Sequence, residues 1–317
     1  MTLSDLRESK HVKNNVKILF LLSILLLSAS EVFCMPNSSD STASIYNGRN
    51  EVYGLTAEQT FKDVKTVALA KAACKGDIET MARLIKQGAD PNAKDVKNSI
   101  NVLGWAIECE DVEGIEALLK AEADPNTRLI RIGPGGAPYS YTPVCRAAEM
   151  YNPKMLKMLL KYKGDPNAVF GGGNSALWVA FTAGAFQEQP GWDNYYSLLN
   201  AGVDINRRYR GETIAETASG HYAKIAELLE RGYNNRLDHL GWQLERSGWL
   251  DENADLYKDP SNLENHRLAL KVKAMLEERG VKFPVPISAR DMLKEFAEED
   301  VRRAENAKKP GGELMNP

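Results

Sequence analysis

Signatures of catalysis and metal binding are scarce in this sequence. Its 317 residues hold only four His and four Cys. His11 lies near the start, and His221, His239 and His266 lie far apart. No His-Glu-x-x-His, Cys-x-x-Cys or Rossmann glycine pattern occurs, so neither a metal nor a cofactor is expected. Gly133-Pro134-Gly135-Gly136 is followed by no Gly-Lys-Ser/Thr and is not a phosphate loop. Gly-x-Ser-x-Gly fails at Leu177, which excludes a nucleophile elbow. Basic residues are not in excess: 40 Lys and Arg face 43 Asp and Glu, for a net charge of −3. Nucleic acid demands a continuous basic stripe and is not an expected partner. Long apolar runs are missing as well. Ile18 to Leu27 spans about ten residues, too short for a comfortable membrane crossing.

That stretch follows Arg7, Lys10, Lys13 and Lys17. A basic region before a short apolar one reads as a secretory signal over residues 1–34, with cleavage after Ser30 or Cys34. An uncleaved anchor is the alternative. Residues 35–63 are rich in Ser, Asn and Thr at first, lack sustained periodicity and read as a linker. Cys74, Cys109 and Cys145 each fall in a different helix of the pattern below. Packed helices lie about 8–10 Å apart, and a disulfide needs Cα atoms within about 7 Å. Buried core cysteines are therefore expected, not a disulfide framework.

What the chain has is a repeated unit. In the third copy, Thr142 caps a helix and Pro143 fits its first turn. Ala147 and Ala148 are small enough for close packing, and Met155, Leu156, Leu159 and Leu160 line one face of a second helix. Gly164-Asp165-Pro166-Asn167 then stops that helix. Asp90, Asp124, Asp165, Asp204 and Asn234 mark the same turn in five copies. Six residues before each stands Leu84, Leu118, Leu159, Leu198 or Leu228. Five before stands Ile85, Leu119, Leu160, Leu199 or Leu229.

The unit is about 33 residues with insertions and resembles the ankyrin repeat. The residues that carry this are Gly88-Ala89-Asp90-Pro91-Asn92, Thr142-Pro143-Val144-Cys145-Arg146-Ala147-Ala148, Gly202-Val203-Asp204-Ile205-Asn206 and Cys74-Lys75-Gly76-Asp77. The resemblance implies an all-α solenoid of about five to six helix–turn–helix repeats, with hairpin-like finger loops and a C-terminal helical cap. Residues 64–235 carry the repeats. Residues 236–285 read as a degenerate capping repeat, and 286–317 as a last helix and tail. Glu122 and Lys163 stand where the family usually has Gly. A left-handed non-glycine costs roughly 1 kcal/mol or more, so an altered turn is expected at Glu122, and Gly164 is placed to take over from Lys163.

The family binds proteins through its concave surface, and the resemblance implies contact positions here. On the helices these are Cys74, Lys75, Glu108, Cys109, Glu149, Met150 and Thr182. On the fingers they are Lys94, Lys97, Arg128, Arg131, Tyr139, Tyr141, Phe170, Arg208, Tyr209 and Arg210. The longest finger, residues 127–141, reads as a hairpin with two Arg and two Tyr, types enriched at interaction hot spots. Trp192, at the end of the insertion Gln187–Trp192, reads as a packing plug, with a second partner contact as the alternative.

The expected function is that of an exported, monomeric, non-enzymatic protein that binds one partner protein. The first form of this is an immunity-type inhibitor of an envelope-directed toxin, such as a secreted lipase, in the periplasm. A periplasmic scaffold or stress-protection factor is the second. The third is an enzyme with a cryptic hydrolytic site at Glu108 to Asp111, whose activity would be lost in Glu108→Gln.

Overall fold

The computed structural model describes residues 51–97, 99–132, 138–187, 191–250 and 262–286. The leader, most of the linker, the hairpin tip, part of the second insertion, most of the polar stretch before His266 and the last helix lie outside these residues. The chain divides into two units, residues 1–49 with Ile132–Pro138 and Asn50–Arg131 with Tyr139–Pro317. Only Ile132 and Pro138 of the first are described.

Thirteen helices make the described chain mostly helical. A short ribbon, β1 (Glu51–Val52) with β2 (Leu55–Thr56), leads into α1 (Ala57–Thr60). Five helix pairs follow: α2 (Val64–Ala73) with α3 (Ile78–Lys86), α4 (Val102–Glu108) with α5 (Val112–Lys120), α6 (Pro143–Glu149) with α7 (Pro153–Lys161), α8 (Ala176–Gln187) with α9 (Gly191–Asn200), and α10 (Ile214–Thr217) with α11 (Tyr222–Glu230). β3 (Leu129–Ile132) and β4 (Pro138–Tyr141) pair in the loop before α6. Then come α12 (Leu237–Arg246) and α13 (Leu263–Glu277). The first helices pack in sequence, α2 on α4 on α6 on α8 on α10, and so do the second helices α3, α5, α7 and α9.

Local signals place these helices. Asp63, Asp77, Asn101, Asp111, Thr142 and Thr213 each accept a backbone N–H of the first turn of the helix they precede. The recurrent apolar residues then fill the core: Met81, Ile115, Leu156, Tyr195 and Ile225 are all buried. Trp192 packs on Phe181 and Tyr195, with ring centroids 5.5 and 5.6 Å apart, and lies against Gly184.

The turns hold a regularity beyond the apolar one. Each Asp accepts the N–H two residues on, as Asp124 does from Asn126 at 2.8 Å. Each Asn in turn reaches the next pair: Asn92, Asn126, Asn167 and Asn206 accept the N–H of Asp124, Asp165, Asp204 and Asn234 at 2.7–2.8 Å. Asn92 and Asn126 also donate to the carbonyls of Glu122 and Lys163, both at 3.0 Å. This ladder crosses every junction from α3 to α11. Asn126→Ala removes two solvent-accessible bonds, so a loss of about 1–2 kcal/mol in urea unfolding is expected. No measurable loss would mean that the ladder follows the stacking and does not support it.

Several expectations need correction. Residues 51–63 are folded, not linker: Thr56 and Gln59 form a capping box, and Val52, Ala57 and Phe61 are buried. The turn at Glu122 is not altered. Glu122 and Lys163 take φ of 64° and 67°, beside 90°, 82° and 95° at Gly88, Gly202 and Gly232. In all five the following N–H returns to a Leu carbonyl at 2.9–3.2 Å, so the closing bond and the stacking hold the strained residue. Gly164 does not take over. A Cβ there would lie 2.7 Å from Val144 and 2.9 Å from the Leu159 carbonyl, so glycine serves close packing. Glu122→Gly is expected to raise stability by roughly 1 kcal/mol, the relief of strain being partly offset by unfolded-state entropy. A lower unfolding midpoint would refute this.

The cysteines are the third correction. Cys74 and Cys109 form a disulfide with Cα atoms 5.3 Å apart, while Cys145 is free and buried. The helix-axis spacing misled because these two residues cap the C-termini of α2 and α4, where the chain ends approach more closely than the axes. Burial pushes the Cys145 thiol up to about 12.

Candidate functional site

The loops before α4, α6, α8 and α10 touch one another in order. In the first, buried Asp95 accepts from the backbone of Ser99 and Ile100 at 2.6 and 3.0 Å and from the Ser99 hydroxyl at 2.7 Å. The Tyr141 hydroxyl of the second loop donates to the Ser99 carbonyl at 2.9 Å. Gly171 N–H of the third donates to the Ser140 carbonyl at 2.6 Å, an approach that a Cβ on Gly171 would block. Arg210 of the fourth donates to Asn174 at 3.2 Å. Four loops thus form one continuous row.

Beside this row, the ends of α4 and α6 carry a charged cluster. Arg146 donates to both Glu108 oxygens, at 2.7 and 2.9 Å, and to Glu149 at 2.9 Å. The Tyr53 hydroxyl, from the β1–β2 turn, donates to Glu108. Arg131 lies 3.8 Å from the centroid of the Tyr53 ring. Burial raises the carboxyls of Glu149 and Glu110 above their ordinary range, although Arg146 pulls both the other way. The carboxylate of Glu108 adds to burial in pushing the Tyr53 phenol up.

The structure sorts the sequence-predicted residues into three sets. Lys94, Lys97, Arg128 and Arg210 are exposed on the row. Arg131, Tyr139, Glu149, Met150 and Arg208 are half-buried, and so is Thr182, which bonds to carbonyls of its own helix. Tyr141, Phe170, Tyr209 and Glu108 are buried. Two of the three aromatics reach the preceding loop through their hydroxyls, Tyr141 to the Ser99 carbonyl at 2.9 Å and Tyr209 to the Asn167 carbonyl at 3.5 Å. Of the contact positions, Glu108, Arg131, Tyr139, Tyr141 and Glu149 come together around Arg146. Arg208 and Arg210 lie elsewhere, where Arg208 grips the Gly211 carbonyl at 2.8 and 3.1 Å. Cys74 and Cys109 are joined to each other.

Sequence reasoning missed Tyr53, Asp95 and Arg146 as site residues. Tyr53 stood in the stretch read as linker, although Thr56 and Gln59 carried a capping signature. Arg146 was part of the repeat motif and received no role of its own.

Glu108 has both oxygens on Arg146, and Asp111 accepts Gly114 N–H at 2.7 Å as the cap of α5. Among the described residues no group of three or more His, Cys, Asp and Glu could hold a metal ion. No helix among them is long and apolar enough to cross a membrane. A cavity of about 10 Å³ beside Ile225, Leu240, Gln243 and Val272 holds room for a water molecule.

The model of the ankyrin repeat matches residues 67–96, from within α2 to the loop before α4. This supports an ankyrin-repeat protein, and with it a role in protein–protein interaction. No curated protein matches the chain.

Proposed function

We propose that this chain is an exported ankyrin-repeat protein that binds one partner protein through its loop row and the adjoining ends of its first helices. The observation that carries the reading is the continuous row itself. It presents Lys97 from the first loop, Arg128 and Ile130 from the second and Arg210 from the fourth. A preformed surface of this kind binds without the entropy cost of ordering. The disulfide supports an oxidising compartment and hence export, with the periplasm as the site of action. The role we assign is neutralisation of an envelope-directed enzyme or toxin, a lipase among the candidates. A preformed binding surface suits an immunity-type inhibitor.

The test is affinity capture from the native periplasm with the mature chain, beside a variant in which Lys97, Arg128, Ile130 and Arg210 are Ala. One enzyme held by the native protein, missed by the variant and inhibited on binding would support the reading. Equal capture by both would move the contact to another face. Capture without inhibition would leave a scaffold.

A further inference from the structure

We propose that Glu108 and Arg131 form a shallow recognition site for a tyrosine presented on a tight turn, and that the chain's own Tyr53 occupies it in cis. The proposal deepens the partner-binding reading and rests on it, since it names what the partner would offer at this part of the surface.

The turn between β1 and β2 is Tyr53-Gly54, with φ of 54° and 74°. Two positive φ values in a two-residue hairpin loop are the geometry that favours Asn, Asp and Gly. A tyrosine there stands against local preference, so its side-chain contacts hold it. The hydroxyl donates to Glu108, and the Arg131 guanidinium covers one ring face at 3.8 Å. A cation over an aromatic ring is attracted by its quadrupole. The acceptor is fixed beforehand, because Arg146 holds Glu108 by two bonds at 2.7 and 2.9 Å. Both ends of a phenol are thus recognised: the hydroxyl by a preset carboxylate and the ring by a cation.

The occupant is built to leave. Tyr53 keeps 47% of its surface exposed and Leu55 46%, and the ribbon has only the pairs Glu51↔Thr56 and Val52↔Leu55. Val52, 5% exposed, is its apolar anchor. Glu108 and Arg131 both stand at positions that the family resemblance assigns to partner contact, so the ribbon masks part of the proposed interface. A partner with a tyrosine on an exposed turn would compete with it for the same two groups.

The probe is a fluorescein-labelled peptide with the sequence of residues 50–59, titrated by anisotropy against the oxidised full chain and against its Val52→Asp, Tyr53→Ala variant. The variant, its own ribbon dislodged, is expected to bind the peptide at least about tenfold more tightly than the native chain. The gain should disappear when the peptide carries Ala for Tyr53, and when Arg131→Ala is added to the variant. A peptide with Phe for Tyr53 should lose part of the affinity, reporting the hydroxyl on Glu108. Equal binding by native chain and variant, no binding by the variant, or indifference to the peptide's tyrosine would each overturn the proposal. If circular dichroism finds the double variant unfolded, Tyr53→Ala alone is held to the same criteria. Partner capture that survives a failed peptide experiment would sink the tyrosine site alone. Peptide binding without any captured partner would sink the partner reading alone.

Discussion

Gly114→Ala is expected to destabilise the protein by roughly 3 kcal/mol, although helix propensity points the other way. Gly114 is the third residue of α5. In an exposed helix interior, Ala in place of Gly adds about 1 kcal/mol. Here a Cβ would lie 2.0 Å from the Ala73 carbonyl oxygen and 2.8 Å from its carbon. The obstacle is backbone, so no change of rotamer relieves it. Either α5 must move from the end of α2 or the carbonyl must turn, and overpacking of this kind costs about 1–3 kcal/mol, occasionally more. The Cys74–Cys109 disulfide begins at the next residue and ties the ends of α2 and α4 together, which restricts the first escape. Urea unfolding of the oxidised protein measures the effect. A variant as stable as the native chain would mean that α5 and the end of α2 are not in this contact. Reducing the disulfide in both proteins should narrow the difference, since separation then becomes easier.

That glycine illustrates what the sequence could and could not disclose. The apolar residues at fixed distances before each turn were legible because the same physical demand recurs in every pair. The Asp and Asn of the turns were legible as a motif, but their inter-pair bonds were not, because a bond to the next turn needs both turns in place. Gly114 has no counterpart at its place in the neighbouring pairs and so no pattern to betray it. The loop aromatics failed for a related reason. Tyr141, Phe170 and Tyr209 look like surface residues within their own loops, yet all three are buried in the folded stack. Glu122 was legible as a departure from pattern, but whether the turn or the residue would yield depends on the stacking on both sides. Tyr53 was hidden by composition: a stretch rich in polar residues ended in a capping box whose helix, Ala57–Thr60, is a single turn and too short to show a period.

Arg146→Ala should cost about 3–5 kcal/mol, the range for removing one partner of a buried ion pair. The guanidinium joins α4 to α6 through Glu108 and also holds Glu149 on its own helix. Its side chain is 20% exposed and that of Glu108 only 9%, so water cannot replace the lost bonds as it does at a surface pair. Two carboxylates then face each other without their shared cation. The pH dependence has a definite sign. Glu149 is already raised by burial with Arg146 in place, and removing the cation raises it further. A carboxyl whose folded-state value lies above its unfolded value binds more protons when folded, so its contribution to stability falls as pH rises. The deficit of Arg146→Ala relative to the native chain should therefore be largest near neutrality and shrink toward about pH 5, as pH nears the unfolded carboxyl value and Glu149 takes up a proton in the folded variant. Urea midpoints at the two pH values measure this directly. Changing Arg146 and Glu108 together to Leu should recover only the part of the loss that comes from Glu108, because Glu149 still lacks its cation. A deficit below about 1 kcal/mol at neutral pH, the scale of an exposed pair, would show that the cluster is solvated and that Glu108 is not held ready for Tyr53 or for a partner.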